Sequence, residues 1–250
     1  MLRYEFPGQA PARVAFTSVA EGNLALHVGD VPEDVLRRRR SLEYGLGLDP
    51  GSLRFMNQTH SVRIHEVPSA GSAATRSDGP DSAAWGPDAD AMICRDGSVP
   101  LAVMVADCLP VVFAASGHDG GLVTAVAHAG RKGLLGGILQ GTVEAIRAAG
   151  GHDLHAWIGP AVCGACYEVP ADMAAEADAL LPGIAATSRW GTASLDLPAT
   201  AARLLADRGV DVVSPASCTL EDADYYSHRR DPQSGRLAGI VWPAPAGTAT

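Results

Sequence analysis

Three residues carry the strongest chemical signal in the sequence: His60, Cys108 and His128. Two imidazoles and one thiolate suit zinc, and three protein ligands leave a fourth position for water or substrate. Copper accepts the same ligands. Cys108 as a thiol nucleophile with a histidine base is the rival chemistry, and a buried structural cysteine beside unrelated histidines is the bland reading. Cys163-Gly164-Ala165-Cys166 is a weaker signal. It is a single C-x-x-C without a partner pair, so it reads first as structural thiols, with redox or metal chemistry as alternatives. Tyr225-Tyr226-Ser227-His228-Arg229-Arg230-Asp231 is the third candidate. Arginine forks bind phosphate or carboxylate, and a tyrosine ring can stack on a base.

The elements around these residues must bring them together. An apolar run at 111–114 and another at 122–127 flank a Gly/Asp-rich turn, which reads as a hairpin. An antiparallel return puts Cys108 and His128 at one open end. They face each other directly only if the turn has an odd number of residues, such as 116–120. Pro110 cannot donate a ladder hydrogen bond, so Cys108 is expected just outside the regular strand. Further strands are expected at 53–56, 62–67, 91–94, 101–106, 154–158, 210–213 and 239–242, and helices at 32–44, 134–149, 171–181 and 198–208. Several strands precede the first long internal helix, which favours a mixed or antiparallel sheet over a strict βαβ repeat.

The 250 residues suffice for a substantial core. Hydrophobic content of 47% excludes a disordered chain, and a net charge of −9 disfavours a general nucleic-acid surface. The basic run at 37–40 reads as a solvated helix face. The stretch 69–87 reads as an exposed loop inside a single 1–250 domain, and 243–250 as a frayed tail. No secretory signal or membrane span is expected, and five cysteines suggest reduced thiols, so a cytoplasmic location is expected.

Block by block, the chain resembles the multicopper polyphenol oxidoreductase (laccase-domain) family, since reassigned to purine nucleoside phosphorylase activity. Asn23-Leu24-Ala25-Leu26-His27-Val28-Gly29-Asp30 is similar to its N-terminal block and Gln58-Thr59-His60-Ser61 to its Q-x-H motif. Asp90-Ala91-Met92-Ile93, then Ala106-Asp107-Cys108-Leu109-Pro110-Val111, then Ala127-His128-Ala129-Gly130 follow in family order. Ile158-Gly159-Pro160 with Cys166-Tyr167-Glu168-Val169, and Tyr226-Ser227-His228-Arg229-Arg230-Asp231 with Ser234-Gly235-Arg236, complete the set. The chain departs from the pattern at Arg131-Lys132, where the family has Trp-Arg, and at Cys163, where it has Gly.

The resemblance implies an α+β fold of packed mixed β-sheets flanked by helices. It implies that His60, Cys108 and His128 are a metal-binding catalytic trio. The implied activity is phosphorolysis of adenosine, inosine and 5′-methylthioadenosine, with adenosine deamination beside it. Purine nucleosides and phosphate are then the partners, with no nucleic acid and no membrane. Lys132, Arg229 and Arg230 are candidates for holding phosphate, Tyr226 for stacking on the base, and Asp107 for orienting a ligand or moving a proton. The alternatives are a cysteine- or zinc-dependent amidohydrolase editing peptidoglycan precursors, a metal-stabilised binding protein, and a copper phenol oxidase. The last is disfavoured, because one His/Cys site lacks the several copper ligand sets of true laccases.

Overall fold

The computed structural model describes residues 1–71, 86–214 and 217–245, apart from the Asp119 side chain. Most of the expected 69–87 loop and of the 243–250 tail lies outside the described residues. Twelve strands are described: β1 Leu2–Phe6, β2 Ala12–Phe16, β3 Ile64–Glu66, β4 Ala91–Cys94, β5 Leu101–Val105, β6 Leu109–Ser116, β7 Leu122–Ala129, β8 His152–Ile158, β9 Ala185–Thr187, β10 Ala193–Leu195, β11 Asp211–Val213 and β12 Leu237–Pro243. The helices are α1 Pro32–Leu46, α2 Arg131–Leu135, α3 Ile138–Ala148, α4 Ala171–Leu180 and α5 Leu197–Ala206.

The longest strands have no polar face. In β6, Leu109, Val111 and Phe113 alternate with Val112 and Ala114, and all are fully buried. Such a strand must be covered on both sides. The six-stranded sheet, in order β11-β8-β6-β7-β4-β3, is mixed: β11 runs parallel to β8 and β3 to β4, and the other pairs are antiparallel. One face holds Val111, Phe113, Ala125 and Ile158 against Leu139, Val143 and Ile146 of α3 and Leu205 of α5. The other face sets Met92, Val112, Val126 and Trp157 against Val14, Phe16, Val103 and Val241 of a four-stranded antiparallel sheet, β1-β2-β12-β5. That sheet's outer face is closed by Leu42 and Leu46 of α1, which pack on Ala15, Ile240 and Trp242. The result is a single α+β domain of four layers with the core between and outside two sheets.

Helix boundaries follow local chemistry. Pro32 opens α1 with Glu33 and Asp34 in its first turn, and Gly47 closes it in the left-handed region. The expected helix at 134–149 is two helices, because Gly136-Gly137 interrupts it and Gly137 sits at φ 90°. The expected strand at 53–56 makes only an isolated bridge from Arg54 to Leu101. No described helix is long and apolar enough to cross a membrane.

Candidate metal and substrate site

The β6–β7 hairpin decides where Cys108 and His128 lie. Ser116 pairs with Leu122, so the turn is 117–121 and has an odd number of residues. Even so, the register is one step further along than direct opposition requires: Pro110 faces His128 and Leu109 faces Ala129. Cys108 therefore stands diagonal to His128, and Gly130 is the residue across from Cys108. As expected from Pro110, Cys108 precedes the strand. Its neighbour Asp107 has φ 83°, which breaks the strand alternation just before the thiol.

His60 arrives from another direction. Gln58 acts as a piece of backbone, donating to the Met104 carbonyl at 2.6 Å and accepting from the Met104 N–H at 2.8 Å. The chain then turns through His60 at φ 58°. Asp90, at the entrance of β4, captures that turn. Its carboxylate accepts the N–H groups of Thr59, His60 and Ser61, and the Ser61 hydroxyl at 2.7 Å. The same carboxylate meets His128 Nδ1 at 2.8 Å in a fully buried contact.

The ligand atoms of His60, Cys108 and His128 all lie within 4.8 Å of one another. Cys108 Sγ is 3.9 Å from His60 Nε2, and the two imidazole rings are 4.7 Å apart, edge to face. Burial alone would push the Cys108 thiol up, but His128 and His60 beside it reverse this and bring it down to about 6. Burial likewise works against a charge on His128, whereas Asp90 and Cys108 raise its pKa. The donor set fits a borderline-soft dication, and Asp90 fixes the His128 tautomer so that Nε2 is the nitrogen left for a metal.

The trio opens on a cavity of about 320 Å³, large enough for a small metabolite. Arg39, Arg236 and His27 share its wall. Arg39 is nine-tenths buried or more; it donates to the Leu24 carbonyl and stacks 3.8 Å above the Phe55 ring. Burial lowers its pKa to about 10 and also lowers that of Arg236. His27 is held neutral by burial and by the two guanidinium groups. One side of the cavity is thus a cationic wall suited to an anion.

His228 of the closing block shares the cavity wall, whereas Asp107, Lys132, Tyr226, Arg229 and Arg230 are not among its lining residues. Asp107 accepts the Thr219 hydroxyl at 2.6 Å and the Arg229 N–H at 2.7 Å, so it ties the closing block to the Cys108 segment. The Arg229 guanidinium lies 4.8 Å over the Tyr167 ring. Arg230 donates to the carbonyls of Thr219, Leu220, Asp222 and Tyr225. Tyr226 packs with Val105 and Leu237, near Gly235. Lys132 is exposed on α2.

Sequence reasoning missed Asp90, Arg39, Arg236 and His27 as site residues. Arg39 had a legible signal. Val35, Arg39, Leu42 and Leu46 fall on one helical stripe, and all four are buried. The solvated-face reading holds for Arg37 and Arg40 but fails for Arg39.

Residues 13–244 match the family described as multi-copper polyphenol oxidoreductase laccase. A Streptomyces griseus protein named purine nucleoside phosphorylase ORF3 is 41% identical over 92% of this chain and 89% of its own length. A Corynebacterium glutamicum protein, also named purine nucleoside phosphorylase, is 38% identical over 94% and 96%. Among solved structures, Neisseria meningitidis protein NMB0706 superposes with a TM-score of 0.77 at 32% identity, covering 98% of this chain and 99% of that one. The Bacillus licheniformis hypothetical protein YfiH gives 0.79 at 27% identity, covering 93% of each. On these matches and the block order in its sequence, the chain belongs to the multi-copper polyphenol oxidoreductase laccase family.

Proposed function

We propose that this chain is a purine nucleoside phosphorylase acting on adenosine, inosine and 5′-methylthioadenosine, with adenosine deamination beside it, and that His60, Cys108 and His128 hold a zinc ion. The observation that carries the reading is one cavity walled by a His/Cys/His trio, by the buried Arg39 and by the half-buried Arg236. Its chain-length relatives named purine nucleoside phosphorylase support it.

Phosphorolysis joins a phosphate oxygen to ribose C1′ as the bond from C1′ to the purine nitrogen breaks, and the purine leaves with the electron pair. Arg39 and Arg236 hold the phosphate and offset its charge in a partly dry site. His27, kept neutral between them, can accept or give a hydrogen bond there. His60, at the exposed lip, and His128 hold the metal that would stabilise the charge of the departing purine. Asp107 positions this machinery from behind through Arg229 and Thr219. Lys132, Arg229 and Arg230 add positive potential around the cavity mouth, and Tyr226 backs the loop that carries His228. A zinc ion bound by the trio supplies a Lewis acid toward the purine and acidifies water for deamination. The test is adenosine plus phosphate, resolved by chromatography. Ribose 1-phosphate with adenine, and inosine from deamination, are the expected products; neither appearing refutes the reading.

A second reading has its own observation. Cys108, His128 and Asp90 form a thiol–imidazole–carboxylate line, with the thiol lowered to about 6. That arrangement suits a cysteine-dependent amidohydrolase on cell-wall precursors. Release of an amino acid from a muramyl substrate by protein freed of metal would favour it over phosphorolysis.

A further inference from the structure

We infer that Cys163, Cys166, Cys218 and Glu221 form a second metal site, apart from the His60 trio, that takes a zinc-type dication. The four ligand atoms lie within 4.8 Å of one another. Tetrahedral zinc thiolates at Zn–S of about 2.3 Å place their sulfurs about 3.8 Å apart, so a small contraction completes the site.

Two matching turns build it. Cys163-x-x-Cys166 closes with the Cys166 N–H donating to the Cys163 carbonyl at 2.9 Å. Cys218-x-x-Glu221 closes in the same way, with the Glu221 N–H reaching the Cys218 carbonyl at 3.2 Å. The missing partner of the C-x-x-C motif is thus a C-x-x-E turn more than fifty residues away in sequence. A bridge between Ala161 and Cys218 sets the turns face to face, and the Thr219 N–H bonds the Ala161 carbonyl. The Cys163 N–H points at Cys218 Sγ at 3.4 Å, which is the backbone donation that stabilises a metal-bound thiolate.

Charge and access agree. Cys166 and Cys218 are buried, while Cys163 and Glu221 lie toward solvent and leave a way in. Burial, reinforced by the sulfurs of Cys163 and Cys218, pushes the Cys166 thiol up to about 12. On binding, each ligating thiol gives its proton to solvent and the dication balances the resulting charge. Arg189 pairs with Glu221 and offsets the excess negative charge of a three-thiolate, one-carboxylate site.

The site would act as a staple. Val162, beside Cys163, donates its N–H to the Asp107 carbonyl, and Thr219, beside Cys218, donates its hydroxyl to the Asp107 carboxylate. A metal here locks the two segments that hold the residue preceding Cys108.

The test is cobalt titration of the reduced, full-length Cys108→Ala chain. That background removes the trio's sulfur, so any thiolate-to-cobalt charge transfer must come from the second site, whatever becomes of the proposed activity. The expected result is about one equivalent of cobalt per chain with tetrahedral visible bands and near-ultraviolet charge transfer, displaced by zinc. Adding Cys166→Ser should return the absorption to baseline. Cys163→Gly, the residue common at that position in the family, provides the same loss should the serine variant fail to fold. A folded Cys108→Ala chain without thiolate charge transfer overturns the site. Unchanged absorption in the folded Cys163→Gly variant overturns it as well.

Discussion

The Asp90 carboxylate accepts three consecutive backbone N–H groups, from Thr59, His60 and Ser61, and also faces His128 Nδ1. One buried anion thereby holds two of the trio at once, and it supports His60 in a left-handed conformation that a branchless polar residue tolerates at some cost. Burial alone would raise the Asp90 pKa, but the bonds from His128 and Ser61 hold it well below the usual carboxylate range. Asp90→Asn should lower stability at neutral pH by about 3 kcal/mol, because it leaves His128 without its buried anion. The sign with pH follows from the depressed value. Asp90's contribution is complete above its unfolded pKa of about 3.9 and is lost as pH falls toward the folded value. Urea titrations at several pH values should show the gap between wild type and Asp90→Asn full from pH of about 5 to about 6.5, closing in acid and closing again as pH rises through the His128 value of about 9. A gap that is independent of pH would contradict this account. Arg236 has a different task, and Arg236→Met should raise the phosphate KM about 10- to 100-fold with little change in the nucleoside KM, as loss of a charge-assisted hydrogen bond predicts. Equal loss for both substrates would remove Arg236 from the phosphate side.

At the element scale the hairpin shows both what can be read from sequence and what cannot. The apolar runs around a Gly/Asp-rich turn place β6 and β7, and Pro110 explains why Cys108 precedes the strand. The register is a different matter: turns 116–120 and 117–121 have the same parity, and only the folded turn selects the second. That choice puts Gly130 across from Cys108. Gly130 has ordinary backbone angles, yet a Cβ there would lie 2.9 Å from His60 Cδ2 and 3.0 Å from Cys108 Sγ. The glycine is needed for space, not for conformation. Gly130→Ala should therefore leave the unfolding midpoint nearly unchanged while forcing the trio apart. A displacement of this size should lower kcat/KM by about 100-fold, together with zinc affinity. Kinetics and zinc competition on the same preparation provide the check, and full activity in the alanine variant would show that the trio does not work as a unit. Strands β1, β2, β9 and β10 went unread. The first carries a period-two pattern in Leu2-Arg3-Tyr4-Glu5-Phe6, but the last two are three-residue pieces whose pairing depends on the α4 helix packed beside them.

In the whole molecule, two sheets must pack closely enough for β5 to deliver Met104 to the cavity whose His128 is held from behind by Asp90, at the entrance of β4. Continuous apolar strands such as β6 announce that both faces are covered, so a layered α+β domain is legible from the pattern. How the layers assemble is not, because the sheet order β11-β8-β6-β7-β4-β3 and its two parallel edges depend on contacts far apart in sequence. The family resemblance, not periodicity, connects His60 to the hairpin. The sheet-to-sheet distance has its own marker in Phe16, fully buried between the layers and met by two glycines. A Cβ on Gly159 would fall 2.2 Å from Phe16 Cδ1, and one on Gly239 would fall 2.9 Å from Phe16 Cε1 and 3.1 Å from Val112 Cγ2. Neither glycine has a positive φ. An added methyl there is pure overpacking between sheets, and such changes destabilise by about 1–3 kcal/mol. Gly159→Ala should thus lower the thermal midpoint, by about 2–4 °C for each kcal/mol in a chain of this size, while the folded fraction keeps its KM and kcat. This is the mirror image of Gly130→Ala, which should keep stability and lose turnover. Measuring both variants by calorimetry and steady-state kinetics tests whether the layers and the trio are separable. If Gly159→Ala also abolished turnover in fully folded protein, the spacing of the sheets would itself set the trio's geometry, and the staple on Asp107 would not be enough to hold Cys108 in place.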